Sequence, residues 1–179
     1  MAENLNYEAS GSKCYENKPL DCEPESILCD LFKMINRDTR ETYGDITNYC
    51  DKYGRLYDLK TAKTVCPSGW HLPSNAEWDI LMVAVGGEDI AGKYLKTTSG
   101  WKLPTEPDGG GDKFGFSALP GGLWNSGAFL YIGYTGNWWT SDLNDSDYSQ
   151  SRSMGHNYEN AGHGHYNEDY MNSVRCLKD

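Results

Sequence analysis

Three of the four histidines lie close together near the C-terminal end of the sequence, in the stretch GHNYENAGHGHYNEDYMNSVRC that begins at Gly155. A neutral imidazole is a common metal ligand and a common general base. On a β-strand, His163 and His165 would point to the same face, because side chains alternate. With His156 and a carboxylate such as Asp169, they could then form a zinc site.

A polar surface loop is the interpretation that we favour for the same stretch. Gly162 and Gly164 flank the histidines, so the backbone is too free to hold metal ligands in a fixed geometry. The histidine spacing also matches no common zinc motif. We therefore predict no metal and no catalytic residue here. A metal-dependent enzyme that uses His156, His163 and His165 remains the alternative hypothesis.

A further candidate ion site is the glycine-rich loop PDGGGD. Asp108 and Asp112 could bind calcium, which prefers carboxylate oxygens. A calcium site needs roughly six to eight oxygens in register, however, and this loop supplies few. A plain glycine loop is therefore favoured, and structural calcium is the one cofactor kept open.

The cysteine pattern favours disulfides over metal or redox chemistry. The count is even, and no two cysteines form the close CxxC pair of a zinc ribbon. Disulfides persist in oxidising compartments, so the pattern predicts a secreted or cell-surface protein. The six cysteines are Cys14, Cys22, Cys29, Cys50, Cys66 and Cys176. The sequence also lacks the G-x-S-x-G motif of serine hydrolases.

Charge and hydropathy limit the class of partner. Acidic residues outnumber basic ones by 26 to 16, which gives a formal net charge of −10, and no Lys/Arg cluster is present. Nucleic-acid binders normally present a basic face, so we expect no nucleic-acid partner. The longest apolar run, residues 80–85, is too short to span a bilayer, and the first residues carry no signal-peptide pattern. The length of 179 residues predicts one domain.

The segment from Asp142 to Asn172 has the composition of a binding surface. Asn, Asp, Ser, Tyr, His and Gly make up 23 of its 31 residues, a mixture that buries poorly. Tyrosine gives a large contact area at a small cost in conformational entropy, and Ser, Gly and Asn adapt their hydrogen bonds, as in antibody loops. We predict a protein or glycan partner. The predicted contact residues in and beside the segment are Trp138, Asn144, Asp145, Asp147, Tyr148, Gln150, Arg152, His156, Asn157, Tyr158, His163, His165, Tyr166, Asn167, Asp169 and Tyr170.

The strongest helix signal begins at Ser74, which forms an S-x-x-E capping box with Glu77. Apolar residues then recur at i, i+3, i+4 and i+7 from Trp78, until a glycine pair ends the pattern. A second helix is predicted over residues 88–96. A third is predicted near residues 27–35, inside an insertion at about residues 19–48.

Beyond these helices, short aromatic-rich strands punctuated by glycine follow. The predicted fold class is α+β, with two to three helices packed on a small, irregular antiparallel sheet. Of the adjacent Trp138 and Trp139, one is expected in the core and the other at a part-exposed rim, because strand neighbours face opposite sides. The other aromatic residues expected in the core are Trp70, Trp78, Trp101 and Phe116.

Seven strings of the sequence, in order from its first residue to its last, resemble the Fibrobacter succinogenes major paralogous domain. They are MAENLNY, YGRLYDL, CPSGWHLPSNAEW, TSGW, FGFSALPGG, WWTSD and SVRCLKD. Residues 19–48 depart from that pattern. The family is similar to the formylglycine-generating-enzyme branch of the C-type lectin fold. The resemblance therefore implies an exported, disulfide-stabilised, C-type-lectin-like domain with paired terminal strands.

The resemblance also implies a disulfide pattern. In a lectin-like fold, a cysteine before the main helix joins one in the last strand, which here gives Cys66–Cys176. Such a bond would close a loop of about 110 residues and stabilise by roughly 4–5 kcal/mol on the chain-entropy model. The remaining four would hold the insertion, either as Cys14–Cys50 with Cys22–Cys29, which we favour, or as Cys14–Cys22 with Cys29–Cys50.

The chemistry of the related oxidases is not expected. Formylglycine-generating enzymes use a reactive cysteine pair shortly before the closing strand, and this sequence has no cysteine between Cys66 and Cys176. Without a thiol there, copper-dependent oxidation has neither nucleophile nor ligand. The sequence therefore favours a non-enzymatic, exported or cell-surface ligand-binding domain, with a structural or adhesion module as the alternative.

The polar segment also suits diversification by a retroelement. Replacing the adenines of the asparagine codon AAC yields Asp, His, Tyr, Ser and Gly. Diversity-generating retroelements mutate adenines, and their variable proteins use this lectin-like fold, with the variable segment near the C-terminus. A fixed loop is the alternative, because the resembled family is itself rich in Asn, Tyr and Gly at this place.

Overall fold

The computed structural model describes residues 4–14, 49–102, 111–143 and 148–179. The helices in these ranges are α1 (Tyr49–Tyr53), α2 (Leu59–Ala62), α3 (Asn75–Ala84) and α4 (Glu88–Leu95). The strands are β1 (Ser12–Lys13), β2 (Leu56–Tyr57), β3 (Trp70–His71), β4 (Leu123–Asn125), β5 (Ala128–Leu130), β6 (Thr135–Leu143), β7 (Ser149–Gly155), β8 (Ala161–Tyr166) and β9 (Leu177–Lys178). The helix predicted near residues 27–35 lies outside the described residues.

The largest sheet consists of β6, β7 and β8, paired antiparallel in that order. Three smaller antiparallel pairs accompany it, namely β1–β2, β3–β9 and β4–β5. The β3–β9 pair joins the last strand of the chain to the segment just before α3. The prediction of a few helices with small antiparallel sheets is confirmed.

Helix α3 begins where the capping box predicts. The Ser74 hydroxyl accepts the backbone N–H of Glu77 at 3.3 Å, and the Glu77 carboxylate accepts the Ser74 N–H at 2.8 Å. This reciprocal bonding satisfies donors that a helix N-terminus leaves free. Gly86 and Gly87 follow the helix, each with φ of 110°, a conformation that glycine adopts without strain.

The described helices are short. The longest, α3, has 10 residues. None of the helices in the described ranges has the length and apolar character needed to cross a bilayer.

Helices α3 and α4 cover one face of the β6–β7–β8 sheet. Trp78 and Met82 of α3 and Leu95 of α4 pack there against Trp138 of β6 and Met154 of β7. None of these five side chains is more than 3% exposed. Burying a side chain of this size contributes about 1.5–3 kcal/mol. The cluster is therefore the main core, and it fixes the two helices on the sheet.

The opposite face of the same sheet is covered as well. Trp139 of β6 packs there against Tyr57, Leu72, Val174 and Cys176. The Trp139 indole N–H donates to the backbone oxygen of Tyr57 at 2.7 Å. The second core cluster thus joins β2 and the C-terminal segment to the sheet.

The expectation that only one of Trp138 and Trp139 would be buried is wrong, since neither has any exposed surface. Alternation along β6 does send the two indoles to opposite faces. Both faces are covered, however, so neither indole lies at a rim. Trp138 therefore cannot contact a ligand, which corrects its place among the predicted contact residues.

The remaining aromatic residues expected in the core fall into two groups. Trp78 and Trp101 are buried, as predicted. Trp70 and Phe116 are half-buried and pack against the edges of the two core clusters. Their position at the edge leaves part of each ring exposed, so they are less buried than expected.

Two disulfides join segments of the described residues. Cys66–Cys176 joins the segment before β3 to the C-terminal strand, and Cys14–Cys50 joins the segment after β1 to α1. Both pairings are those predicted, and the alternative pairing of Cys14 with Cys22 is wrong. The Cys22–Cys29 prediction lies outside the described residues.

A buried asparagine links the start and the end of the described chain. The Asn4 amide nitrogen donates to the backbone oxygen of Tyr53 at 2.8 Å and to the Ser173 hydroxyl at 3.3 Å. Its oxygen accepts the indole N–H of Trp138 at 2.8 Å and the Nε–H of Arg175 at 3.1 Å. Because a buried polar group must be paired, this network fixes one arrangement of four segments.

Candidate functional site

The predicted contact residues are carried mainly by β7, β8 and the turn between them. Arg152 of β7 pairs in register with Trp138 on one side and with His163 on the other, and Gln150 pairs with His165. Cross-strand partners share a face of a sheet. Four residues of the hairpin, namely Gln150, Arg152, His163 and His165, therefore lie on the face that α3 and α4 partly cover.

An exposed patch occupies the open part of this face. His163 and His165 lie on one face of β8, as the i, i+2 spacing predicts for a strand, and both are exposed. His163 Nε2 lies 3.7 Å from Glu88 Oε2 at the start of α4. We call the surface formed by His163, His165, Gln150, Asp79 and Glu88 the histidine face.

A buried arginine lies beneath the histidine face. The Arg152 side chain has no exposed surface, and its Nη2 donates to the Asp79 carboxylate of α3. Its Nη1 lies 3.9 Å from Glu88 Oε2. Because a buried cation is costly without partners, these carboxylates tie β7 to both helices. The prediction that Arg152 contacts a ligand is wrong, since protein atoms cover it.

The N-terminus of α3 is bonded to the sheet. The Asn75 side chain donates to Gln150 Oε1, and its backbone N–H donates to the Asp142 carboxylate. A carboxylate at a helix N-terminus is favourable because it accepts a free N–H and opposes the helix dipole. Gln150 is half-buried by this contact, so only part of its side chain is available.

The β7–β8 turn is held from beneath by a buried lysine. The Lys96 ammonium donates to the backbone oxygens of Gly155 at 2.9 Å and Tyr158 at 2.8 Å. Its Nζ lies 5.3 Å from the centroid of the Trp101 ring. Burial lowers the pKa of Lys96. On the outer side of the turn, Asn157 and Tyr158 are exposed.

His156 lies apart from the other two histidines. Its ring centroid is 5.1 Å from that of Tyr134, and its backbone N–H donates to the Tyr134 oxygen at 2.7 Å. Burial lowers the pKa of His156, and the charges of Lys96 and Lys102 add to that shift. The shift favours the neutral imidazole, and the His156 side chain is half-buried within the turn.

Two of the predicted contact tyrosines pack on the opposite face of the sheet. The Tyr166 ring meets Trp139 edge-on, at 6.1 Å between centroids, and lies 4.9 Å from the Tyr170 ring. Its hydroxyl is 3.1 Å from Asn137 Oδ1 and donates to it. Burial raises the pKa of Tyr166. Both tyrosines are half-buried. Each ring packs against the second core cluster, and only part of it remains exposed for contact with a ligand.

The structure separates the predicted contact residues by exposure. The exposed ones are Tyr148, Asn157, Tyr158, His163, His165 and Asp169. The half-buried ones are Gln150, His156, Tyr166, Asn167 and Tyr170. The rest of the predicted set consists of the buried Trp138 and Arg152, together with Asn144, Asp145 and Asp147, which lie outside the described residues.

Sequence reasoning missed the helix residues that border the histidine face. Asn75 and Asp79 are four apart and so share one flank of α3. That signal is present in the sequence, but it does not say which neighbour the flank meets. Glu88 was missed for the same reason, because its contact with β8 is made across 75 residues of chain.

No metal centre emerges from these residues. Within the described ranges, no group of three or more His, Cys, Asp or Glu could hold a metal ion. His163 sits opposite Arg152 in the middle of the hairpin, whereas His156 follows the end of β7. Asp112, one of the two candidate calcium ligands, accepts hydrogen bonds from the Ser117 N–H and hydroxyl at 2.7 and 2.6 Å. Its proposed partner Asp108 lies outside the described residues.

A family model described as the Fibrobacter succinogenes major domain matches residues 1–178. The chain belongs to this family. No curated protein and no solved structure matches it. Several of the seven strings that resemble this family have structural roles in the domain. CPSGWHLPSNAEW carries Cys66 and the α3 cap, SVRCLKD carries Cys176 and β9, and MAENLNY contributes the buried Asn4.

Proposed function

We propose that this Fibrobacter succinogenes major domain is an exported, non-enzymatic module that binds a protein or glycan through its β7–β8 hairpin. The observation that carries the proposal is a contrast within the hairpin. Its backbone is held by buried charged groups, while its exposed side chains, apart from Glu159, are tyrosine, asparagine and histidine. A scaffold of this kind preorganises a contact surface and lowers the entropy cost of binding.

Two buried cations supply the rigidity. Arg152 connects the middle of the hairpin to the carboxylates of Asp79 and Glu88. Lys96 binds two carbonyl oxygens at the turn. Neither cation is more than 3% exposed, so water reaches the Arg152 pairs only at the carboxylates of Asp79 and Glu88, which are 59% and 43% exposed.

The size of the ligand decides how much of the hairpin it touches. The histidine face lies at the middle of the hairpin, and Asn157 with Tyr158 lies at its turn. A protein partner that buries about 800 Å² per side would cover both places. A short glycan would contact one of them. We favour a protein partner because tyrosine and asparagine in exposed turns are typical of protein-binding loops.

A C-type-lectin-like architecture is part of the proposal. Three features support it: the pairing of β9 with β3, the bond from the backbone N–H of Leu5 to the Val174 oxygen at 2.9 Å, and the Cys66–Cys176 disulfide. Together they bring the start and the end of the described chain to one side of the sheet. Export is proposed because disulfides persist in oxidising compartments.

The test compares two sets of alanine substitutions in the secreted domain. The hairpin variant carries Tyr158→Ala, His163→Ala and His165→Ala. The control carries Tyr7→Ala and Phe114→Ala, which are exposed elsewhere on the surface. Each protein is applied to a displayed library of cell-surface proteins and to a glycan array. We expect ligands of the wild type to bind the hairpin variant at least about tenfold more weakly and the control unchanged, because few interface residues carry most binding energy.

Equal binding by both variants would remove the hairpin from the proposal. An absence of binding to either array would favour the alternative of a structural or adhesion module. The alternative of a metal-dependent enzyme is not supported, because His156 follows the end of β7, whereas His163 and His165 lie in β8.

We retain the hypothesis that a retroelement diversifies this segment, but for fewer positions than the whole range from Asp142 to Asn172. Ser151 and Asn172 belong to the codon class that adenine replacement produces, yet both are fully buried, so variation there would disturb the core. Among the predicted contact residues, the described positions expected to vary are the exposed ones: Tyr148, Asn157, Tyr158, His163, His165 and Asp169. Resequencing the locus in sibling strains tests this, and substitutions spread evenly over buried and exposed positions would refute it.

A further inference from the structure

A pocket lies on the flank of α3 that faces away from the hairpin. It has a volume of about 240 Å³ and opens between α3 and the C-terminal strand. Glu77 and Leu81 line it, whereas Asn75 and Asp79 face the hairpin from the other flank of the helix. A ligand here would not touch the histidine face, so this inference does not rest on the proposed function.

The walls of the pocket are apolar. Trp78 and Leu81 form the side on α3, and the Phe116 ring lies next to Trp78, edge-on, with 5.8 Å between the ring centroids. Leu177 also lines the pocket and has 39% of its surface exposed. Phe116 is held in place by Arg175, whose guanidinium carbon lies 4.1 Å from the ring centroid. Arg175 in turn donates to the backbone oxygens of Phe116 and Ser117. The pocket is thus formed by fixed groups and presents surface suited to an aromatic or branched aliphatic group.

The outer rim of the pocket carries negative charge. Glu77 is partly exposed there, and Asp179 is joined to it through His71, whose Nε2 lies 2.9 Å from Glu77 and whose Nδ1 lies 2.6 Å from Asp179. Two carboxylates share one imidazole, so the rim stays net negative even when His71 is protonated. The positive group of the pocket, Arg175, is 3% exposed and lies at the inner end.

We propose that this pocket docks one apolar side chain of a partner protein, in a segment where a basic residue follows that side chain. The volume lies below the roughly 300–1,000 Å³ of pockets that hold whole drug-sized ligands, so it suits a single side chain. The apolar walls bind the side chain. The carboxylates of Glu77 and Asp179 select the positive charge beside it.

The probes are three blocked dipeptides that separate these two contributions. Acetyl-Phe-Lys-amide has both features, acetyl-Phe-Glu-amide reverses the charge, and acetyl-Ala-Lys-amide lacks the ring. Each is titrated into the ¹⁵N-labelled domain, and amide shifts of Leu81 and Leu177 are followed. We expect Phe-Lys to bind about two- to fivefold more tightly than Phe-Glu, as for an exposed ion pair. Ala-Lys should bind about tenfold or more weakly, because the apolar contact is lost.

Variants of the pocket test the same assignment from the protein side. Leu81→Asp should abolish binding of all three probes. Leu177→Ala, at an exposed position, should weaken Phe-Lys binding severalfold without unfolding risk. Glu77→Gln keeps the capping group and removes its charge, so it should reduce the preference for lysine over glutamate, and the Asp179 carboxylate accounts for what remains. Ile80→Ala is the matched control, because Ile80 is exposed on the outer side of the same helix.

Several outcomes would overturn the proposal. Equal binding of Phe-Lys and Phe-Glu by the wild type would show that the partner needs no basic residue. Binding that survives both Leu81→Asp and Leu177→Ala would show that the peptide does not bind in this pocket. A concentration-dependent dimer that Leu177→Ala abolishes would make a second copy of the chain the occupant. None of these outcomes bears on hairpin binding, which is measured separately with the variants at Tyr158, His163 and His165.

Discussion

Asn4 uses both polar atoms of its side chain inside the core, so its removal should have a large effect. Asn4→Ala leaves the indole N–H of Trp138 and the Nε–H of Arg175 without their acceptor. Buried donors without partners cost about 1–3 kcal/mol each, so we expect the free energy of unfolding to fall by about 2–4 kcal/mol. Urea denaturation measures this. Asn6→Ala, at an exposed neighbour, should change it by less than about 0.5 kcal/mol, and equal losses in the two variants would contradict the role of the amide.

His71 gives the fold a pH dependence whose sign can be derived. Hydrogen bonds with Asp179 and then Glu77 raise the pKa of His71 above 6.5. Its stabilising effect is therefore complete below about pH 6.5 and is lost as the pH rises through the raised pKa. The hydrogen bond from the Ser74 backbone, followed by that with His71, lowers the pKa of Glu77 below 4.5. The Glu77 contribution is present above that pH and is lost as the pH falls further.

The stabilising window of the His71 contacts therefore lies between these two limits. The unfolding midpoint of His71→Ala should fall furthest below wild type near pH 5.5, and the difference should shrink by pH 8.5. Thermal denaturation at both pH values measures it. Thr98→Ala, which changes no titrating group, should show no such trend. A His71→Ala effect that does not vary with pH would show that charge is not the cause.

At the scale of the elements, the β7–β8 turn depends on Lys96. Lys96→Met keeps the length of the side chain and leaves the carbonyl oxygens of Gly155 and Tyr158 without their donor. We expect a loss of about 1–3 kcal/mol and faster amide hydrogen exchange at residues 155–160, measured by mass spectrometry or NMR. Lys93→Met removes the part-exposed ion pair with Glu159, 2.7 Å apart, and should cost less than about 1 kcal/mol. Slow exchange in the turn of Lys96→Met would contradict this role.

The elements also show what a sequence can predict. Helix α3 was predictable because its signals are local, namely the Ser74 cap, the apolar stripe and the glycine pair. The hairpin composition was visible too, but the histidine face was not, because Asp79 and Glu88 reach it through tertiary packing. Alternation correctly assigned Trp138 and Trp139 to opposite faces. It could not reveal that both faces are covered.

At the scale of the whole molecule, the two disulfides within the described residues should stabilise unequally. Cys66–Cys176 spans 110 residues and Cys14–Cys50 spans 36. On the chain-entropy model these loops correspond to about 5 and about 4 kcal/mol. The double alanine variant at Cys66 and Cys176 should therefore unfold at lower urea concentration than the one at Cys14 and Cys50. The reverse order would show that loop length does not dominate.

The buried cations have a consequence for the way the domain meets other molecules. Lys96, Arg152 and Arg175 are all at most 3% exposed, and no aspartate or glutamate of the described residues is buried with them. The described residues therefore present carboxylates, and not these three cations, at the surface of a chain with a formal net charge of −10. Its field extends over a Debye length of about 10 Å at 0.1 M salt and steers diffusing cations inward. Positively charged partners should associate faster as ionic strength falls, whereas sulfated or phosphorylated polymers should be repelled before they reach the surface.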